Sequence, residues 1–279
     1  MDTSSVSVDP DLPEDLPEFD AHIDGWYSDH YNEVDRLSVN AYGRLELERT
    51  KELLLRFLPP APARVLDVGG GPGVYAAWLV SLGYRVTLVD PVARHREQAS
   101  AHGTFAVEDG DARALTALDA SVDAVLMLGP LYHLVDPADR ARALAESRRV
   151  TRGGGVIAAA FISRHAPIID LAAKARINDD EMVEHLRRLR HTGDNDPATG
   201  FTVAYFHTVA EIRADFGAAG LGDPAVYGIE GPLVPLLASG LVEDRPELFE
   251  SAVRAARLVE DDPALLAASS HLLGVARAV

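Results

Sequence analysis

The stretch Arg64-Val65-Leu66-Asp67-Val68-Gly69-Gly70-Gly71-Pro72-Gly73 decides the fold of this 279-residue chain. Its first five residues form a short, largely apolar run and read as a buried strand. Glycines at 69, 71 and 73 follow; they permit positive φ and let a ligand come close to the backbone. Val74 to Leu82 then reads as a helix closed by Gly83. Its first turn has backbone N–H groups with no partner inside the helix. A dinucleotide fingerprint, G-x-G-x-x-G, wants its third glycine at 74, where this chain has Val. A purely structural glycine turn is the plainer alternative at this point.

Outward from the turn, apolar runs alternate with helical stretches. Arg85 to Val89 reads as the second strand, and Pro91 to Ala101 as a helix with proline in its first turn. Thr104 to Val107, Val122 to Leu128 and Gly155 to Ile162 read as the third, fourth and fifth strands, with a helix from Pro137 to Val150. This alternation implies a parallel sheet covered on both faces. The rest is less regular. His165 to Gly200 reads as helix with a polar loop, and Val209 to Ala218 as a helix. Ala225 to Ile229 reads as a strand, Pro232 to Ala268 as a helical insertion, and His271 to Val279 as the last strand. On the N-terminal side, Arg44 to Phe57 has helical spacing and stops at Pro59-Pro60. Trp26, Tyr27 and Tyr31 precede it, and Met1 to Asp20 is acidic and proline-bearing, the composition of a flexible tail. The expected division is a tail over 1–20, a helical lid over 21–60, and one α/β domain over 61–279 with helical insertions near 165–200 and 232–268.

Four features in the right order give the turn its meaning. Asp67-x-Gly69-x-Gly71-x-Gly73 resembles the first motif of class I S-adenosylmethionine-dependent methyltransferases. Asp90 ends the second strand, where an acid in Rossmann-like folds bonds ribose hydroxyls. Gly110-Asp111-Ala112 resembles the step whose acid takes the adenine amino group, and Arg152-Gly153-Gly154-Gly155 resembles the turn before the fifth strand, with Gly in place of the usual Pro. The resemblance is strong from Arg64 to Ile162. It implies a doubly wound, mostly parallel seven-stranded Rossmann-like α/β fold, S-adenosylmethionine as cofactor and S-adenosylhomocysteine as product. It also assigns cofactor contacts to Asp67, Gly69, Gly70, Gly71, Asp90, Pro91, Asp111, Ala112, Leu128 and Gly129. Tyr27 and Arg44 are added as a lid aromatic near the sulfonium and a partner for the cofactor's carboxylate; packing, and an ion pair with Glu48, are their plainer readings.

Ligands of open α/β sheets sit beyond the carboxyl ends of the strands. There Leu128-Gly129-Pro130-Leu131-Tyr132-His133-Leu134 resembles a bacterial subgroup of the same family. Tyr132 and His133 are the first catalytic candidates, His133 as a general base or as a packing residue. His207 and Glu230 are the next. For His207 the plainer reading is the residue before a helix capped by Thr208 with Glu211.

Composition narrows the function. A net charge of −17 repels phosphate backbones and anionic membranes. The chain has no cysteine and no His-x₃-His pair, so neither a thiolate nor an evident metal site is expected. The resemblance implies methyl transfer to an O or N atom of a small molecule, and the composition suits a cytoplasmic enzyme with no nucleic acid or membrane partner. The oligomeric state stays open. A C-methyltransferase, a non-catalytic cofactor-binding module and an NAD-dependent oxidoreductase are the rivals.

Overall fold

The computed structural model describes residues 36–197, 201–239 and 245–279. The acidic tail over 1–20, Trp26, Tyr27, Tyr31 and most of the segment before the first described helix lie outside the described residues.

Helix α1 spans Ala41–Phe57 and starts three residues earlier than its apolar spacing suggested, because the Asn40 side chain accepts from the Gly43 N–H as an N-cap. The strands are β1 Arg64–Val68, β2 Arg85–Asp90, β3 Ala106–Asp109, β4 Val122–Met127, β5 Thr151–Ile162, β8 Ala225–Gly228 and β9 His271–Arg277. They form one sheet in the order β3-β2-β1-β4-β5-β9-β8. Pairs from β3 to β5 are parallel, and β9 runs antiparallel to both β5 and β8. Helices α2 Val74–Ser81, α3 Ala93–Ser100 and α4 Pro137–Val150 make the crossovers.

Successive strand residues point to opposite faces. Val65, Leu88, Ala124, Leu126, Ala158 and Leu273 enter one core, while Leu66, Val68, Val125, Met127, Ile157 and Phe161 enter the other. Burial on both sides is why these strands read as nearly continuous apolar runs.

Several expected boundaries move. The third strand is Ala106–Asp109 rather than 104–107, with Asp109 opposite Asp90. As an edge strand it needs no apolar run, so its acids Glu108 and Asp109 gave no strand signal. The glycines over 153–155 belong to β5, which begins at Thr151, and the register with β4 shifts between Val122 and Ala124. The segment after β5 folds as α5 Ala166–Ala173 and α6 Asp180–Thr192, followed by a ribbon of β6 Asp194–Asn195 and β7 Ala204–Tyr205. Strands of two residues are too short to show alternation. Helix α7 Val209–Ala218 carries the expected capping box of Thr208 and Glu211. Helices α8 Val234–Ala238 and α9 Pro246–Val259 occupy the second insertion.

Sheet order reverses between β1 and β4, which leaves a crevice at their carboxyl ends. Among the described residues no helix is long and apolar enough to cross a membrane.

Candidate active site

A cavity of about 450 Å³ opens at that crevice. Its wall contains Asp67, Gly69, Gly70 and Gly71 from the turn, Asp90 and Pro91 after β2, Asp111 and Ala112 after β3, and Leu128, Gly129, Tyr132 and His133 after β4. Residues from four separate strand ends therefore meet around one space.

The turn is built by its packing. Gly69, Gly71 and Gly73 have φ of 65°, 56° and 88°. A Cβ on Gly69 would lie 2.5 Å from Pro130, whereas a Cβ on Gly71 would meet nothing within 4 Å. Gly69 thus lets the β4 loop close down, and Gly71 leaves open space at the cavity wall. The Gly71 N–H donates to the Asp90 carboxylate at 2.8 Å, the Val92 N–H donates to its other oxygen at 2.9 Å, and the His95 ring lies 3.3 Å from it.

Asp67 sits beneath the turn, 1 % exposed, with Oδ2 lacking a hydrogen-bond partner. Burial, then the negative charge of Asp90, pushes its carboxyl up to about 7. Asp111 behaves oppositely. Burial works upward on it, but hydrogen bonds and charge from Arg113 outweigh that and hold the carboxyl below its ordinary range. Arg113 also reaches Asp139 at 2.9 Å, which fixes the guanidinium against both acids.

Tyr132 closes the 3₁₀ turn Pro130–Tyr132, and His133 follows it. The His133 ring stacks on Phe201 with centroids 6.0 Å apart and tilts against Tyr132 at 4.6 Å. Burial pushes its pKa down to about 4, opposed by a backbone hydrogen bond at Val203 and the charge of Asp90. The imidazole is neutral at physiological pH.

Three expected site residues lie elsewhere. The Arg44 guanidinium sits over the Phe249 ring, 5.4 Å from its centroid, rather than on the cavity wall. His207 is fully buried, edge-on to Phe161 and Tyr205, with Nε2 3.3 Å from Asp215. Burial lowers its pKa. Glu230 is fully buried and accepts from the Ser269 hydroxyl at 2.7 Å and the His271 N–H at 2.9 Å. Neither His207 nor Glu230 lines the cavity. Tyr27 lies outside the described residues. Conversely, Arg36, Leu37, Tyr75, His95 and Arg113 line the cavity without having been singled out. His95 and Arg113 carried a usable signal, since each follows an expected site acid within one helical turn or a tight bend. Arg36 carried none.

The groups present fit a nucleoside with a zwitterionic tail. Two carboxylates stand at separate strand ends, a glycine backbone leaves room, and a buried carboxylate oxygen has no partner. Comparison with known proteins agrees. Residues 66–159 match the methyltransferase domain family. An uncharacterised methyltransferase of Mycobacterium tuberculosis is 39% identical over 120 residues, 42% of this chain and 47% of that protein. A ubiquinone biosynthesis O-methyltransferase of Methylocella silvestris is 31% identical over 176 residues, 57% of this chain and 65% of that protein. This chain thus spans about half the length of the mycobacterial relative it matches. A solved structure from Thermotoga maritima, described as an S-adenosylmethionine-dependent methyltransferase and a possible histamine N-methyltransferase, shares the fold. Its TM-score is 0.55 at 20% identity, covering 94% of this chain and 97% of that one. Residues 66–159 thus match the methyltransferase domain family, on a fold shared with solved S-adenosylmethionine-dependent methyltransferases.

Proposed function

We propose that this protein transfers a methyl group from S-adenosylmethionine to an O or N atom of a small molecule. The observation that carries the reading is the single cavity joining the glycine turn, Asp90, Asp111 and the Tyr132-His133 pair. The cofactor supplies an activated methyl group on sulfur, so the protein's share is alignment and, for an acidic acceptor, proton removal.

In this reading Asp90 takes the ribose hydroxyls and Asp111 the adenine amino group. The backbone over Gly69–Gly71 lies along the tail. Asp67 and Arg36 line the same cavity, an acid and a base that complement an ammonium and a carboxylate. An ammonium beside Asp67 would return that carboxyl to its ionised form. Tyr132 and His133 stand at the reactive end, beyond β4. A neutral imidazole is ready to accept a proton at any pH above about 4, but its low basicity makes it a modest base. That suits an acceptor that loses its proton as the new bond forms.

The test is incubation with methyl-labelled S-adenosylmethionine and a metabolite library. A product one methyl heavier is sought by mass spectrometry, and the labelled atom is located by NMR. Label on oxygen or nitrogen supports the proposal; label on carbon replaces it with C-methylation. Binding of a nicotinamide dinucleotide with none of S-adenosylmethionine would remove it.

A further inference from the structure

A second cluster of charges lies behind the cavity. Arg36, on the cavity wall, donates Nη1 and Nη2 to the two carboxylate oxygens of Glu46 at 2.7 and 2.9 Å. Glu46 Oε2 is 3.8 Å from Nδ1 of His271, and the same imidazole contacts the Glu230 carboxylate. Glu230 is tied down in turn by the Ser269 hydroxyl and the His271 N–H. The four groups come from different elements: the segment before α1, α1 itself, the turn after β8, and the first residue of β9.

Such a chain is costly as a stabilising device. Buried ion pairs lose hydration and seldom outdo apolar residues of the same volume. Glu230 is fully buried and the Glu46 side chain 8% exposed, yet neither touches the cavity. What they do reach is Arg36, whose four-torsion side chain gives up rotamer freedom where its guanidinium is held. Glu46 engages two of its five N–H donors and so fixes the plane of the fork. Arg113, the other arginine of the cavity wall, is committed to Asp111 and Asp139.

We propose that Glu46, His271 and Glu230 form a buried positioning chain that holds Arg36 against the cavity for the carboxylate end of an amino-acid-bearing nucleoside. This rests on the cofactor reading above. It gives Glu230 a role as a positioning residue in place of a catalytic one. Two negative groups meet two positive ones when His271 is protonated. Burial pulls its pKa down, but Glu46 and Glu230 outweigh that and push it up to about 9. The charged groups facing His271 are Glu46, Glu230 and Arg36, with the Tyr42 ring 6.4 Å away. Glu46, Glu230 and His271 also place one ligand atom each within 4.8 Å of one another, a spacing that would suit a divalent cation. Here a guanidinium and an imidazolium already supply the positive charge.

The experiment compares S-adenosylhomocysteine with 5′-methylthioadenosine, the same nucleoside without the amino-acid tail, by calorimetry. The wild type should prefer the tailed ligand. Arg36→Gln should weaken it on the order of 10- to 100-fold and leave the tail-less one within about 2-fold. Arg36→Lys should recover part of the loss. His271→Gln should lower the tailed ligand about 5- to 10-fold and again spare the tail-less one. A selective loss is something a merely structural substitution would not give. Should His271→Gln be too unstable to titrate, the wild type replaces it, with the deamino analogue of S-adenosylhomocysteine as probe. Its affinity should fall once near pH 7, as Asp67 ionises on the same wall, and again as pH rises through about 9. An unchanged ratio of the two ligands in His271→Gln, equal loss of both, or the absence of the fall near pH 9 for the deamino probe overturns the positioning chain alone. So does stoichiometric zinc binding that is lost in His271→Gln. A wild type that binds neither nucleoside overturns the cofactor reading itself.

Discussion

The Gly71 N–H and the Asp90 carboxylate meet at 2.8 Å, joining the tip of the glycine turn to the end of β2. A second carboxylate oxygen takes the Val92 N–H. One acid thus shapes two backbone turns on the cavity wall, and the proposed ribose contact would be its third task.

Asp90→Ala should therefore have two effects. Cofactor affinity should fall by ~1.5–3 kcal/mol, the range for a hydrogen bond to a charged group. The melting temperature should also fall, because the buried Val92 N–H and the half-buried Gly71 N–H lose their acceptor. Asp90→Asn should fall between, since its single amide oxygen can serve one of them. Calorimetry and thermal melts on both variants check this. Unchanged affinity in Asp90→Ala would sink the ribose assignment.

Gly71→Val and Gly69→Ala should separate binding from folding. A Cβ at Gly71 meets no protein atom within 4 Å, so the main cost to the fold is the positive φ, about 1–2 kcal/mol. Binding should nevertheless be lost, because that open space is where the ligand would lie. At Gly69 the added Cβ runs into Pro130, so the loop carrying Tyr132 and His133 must move. Circular dichroism should report native helix content for Gly71→Val, with no heat of cofactor binding. Normal binding by that variant would make the turn purely structural.

Asp67→Asn should stabilise the ligand-free protein while weakening cofactor binding. The Asp67 carboxyl is raised from 3.8 to about 7 by burial and by Asp90. An acid with a raised folded pKa binds protons more readily folded than unfolded, so its penalty grows as pH rises from about 4 to 7 and is full above that. The shift corresponds to roughly 4 kcal/mol, of which relaxation should leave ~1–3 visible. Denaturant melts at pH 4 and pH 8 measure it. The variant should match the wild type at the lower pH and exceed it at the higher. Equal stability at both would mean that Asp67 is better solvated than its burial implies.

The glycine-turn side of the cavity was legible because its groups sit at strand ends that the sequence marks directly. Asp67, Asp90 and Asp111 each follow an apolar run, and the glycines lie between a strand and a helix. Backbone direction then carries them to one edge of the sheet. The far side was not legible. Glu230 and His271 stand 41 positions apart and meet only because β8 and β9 are paired. Arg44 and Arg36 are both arginines near the start of α1, and no spacing rule distinguishes the one over Phe249 from the one on the cavity wall. His207 looked like a functional histidine at a strand–helix junction, yet the isolated bridge to Ser163 buries it against Phe161.

His133→Ala should lower turnover more than it lowers cofactor affinity. The side chain lies on the loop that leaves β4, stacked on Phe201 and held at Val203, which the proposed function makes the reactive end of the cavity. Burial puts its pKa at about 4, well below the ordinary 6.5 for histidine. The neutral form therefore persists through the working range, and the wild-type rate should show no step between pH 6 and 7 from this group. Any limb it contributes belongs near pH 4, where protonation removes the acceptor. As a base, its loss should cost on the order of 10²-fold in kcat, with cofactor affinity within about 3-fold. His133→Asn tells the two roles apart. An amide can donate to the Val203 carbonyl and hold the loop, but it cannot take a proton at neutral pH. If alignment is the whole contribution, Asn should restore most of the rate that Ala loses. If proton transfer matters, Asn should be as slow as Ala, and a substrate whose acceptor is already deprotonated should narrow the gap to the wild type. Full wild-type turnover in both variants would leave His133 a packing residue of the loop.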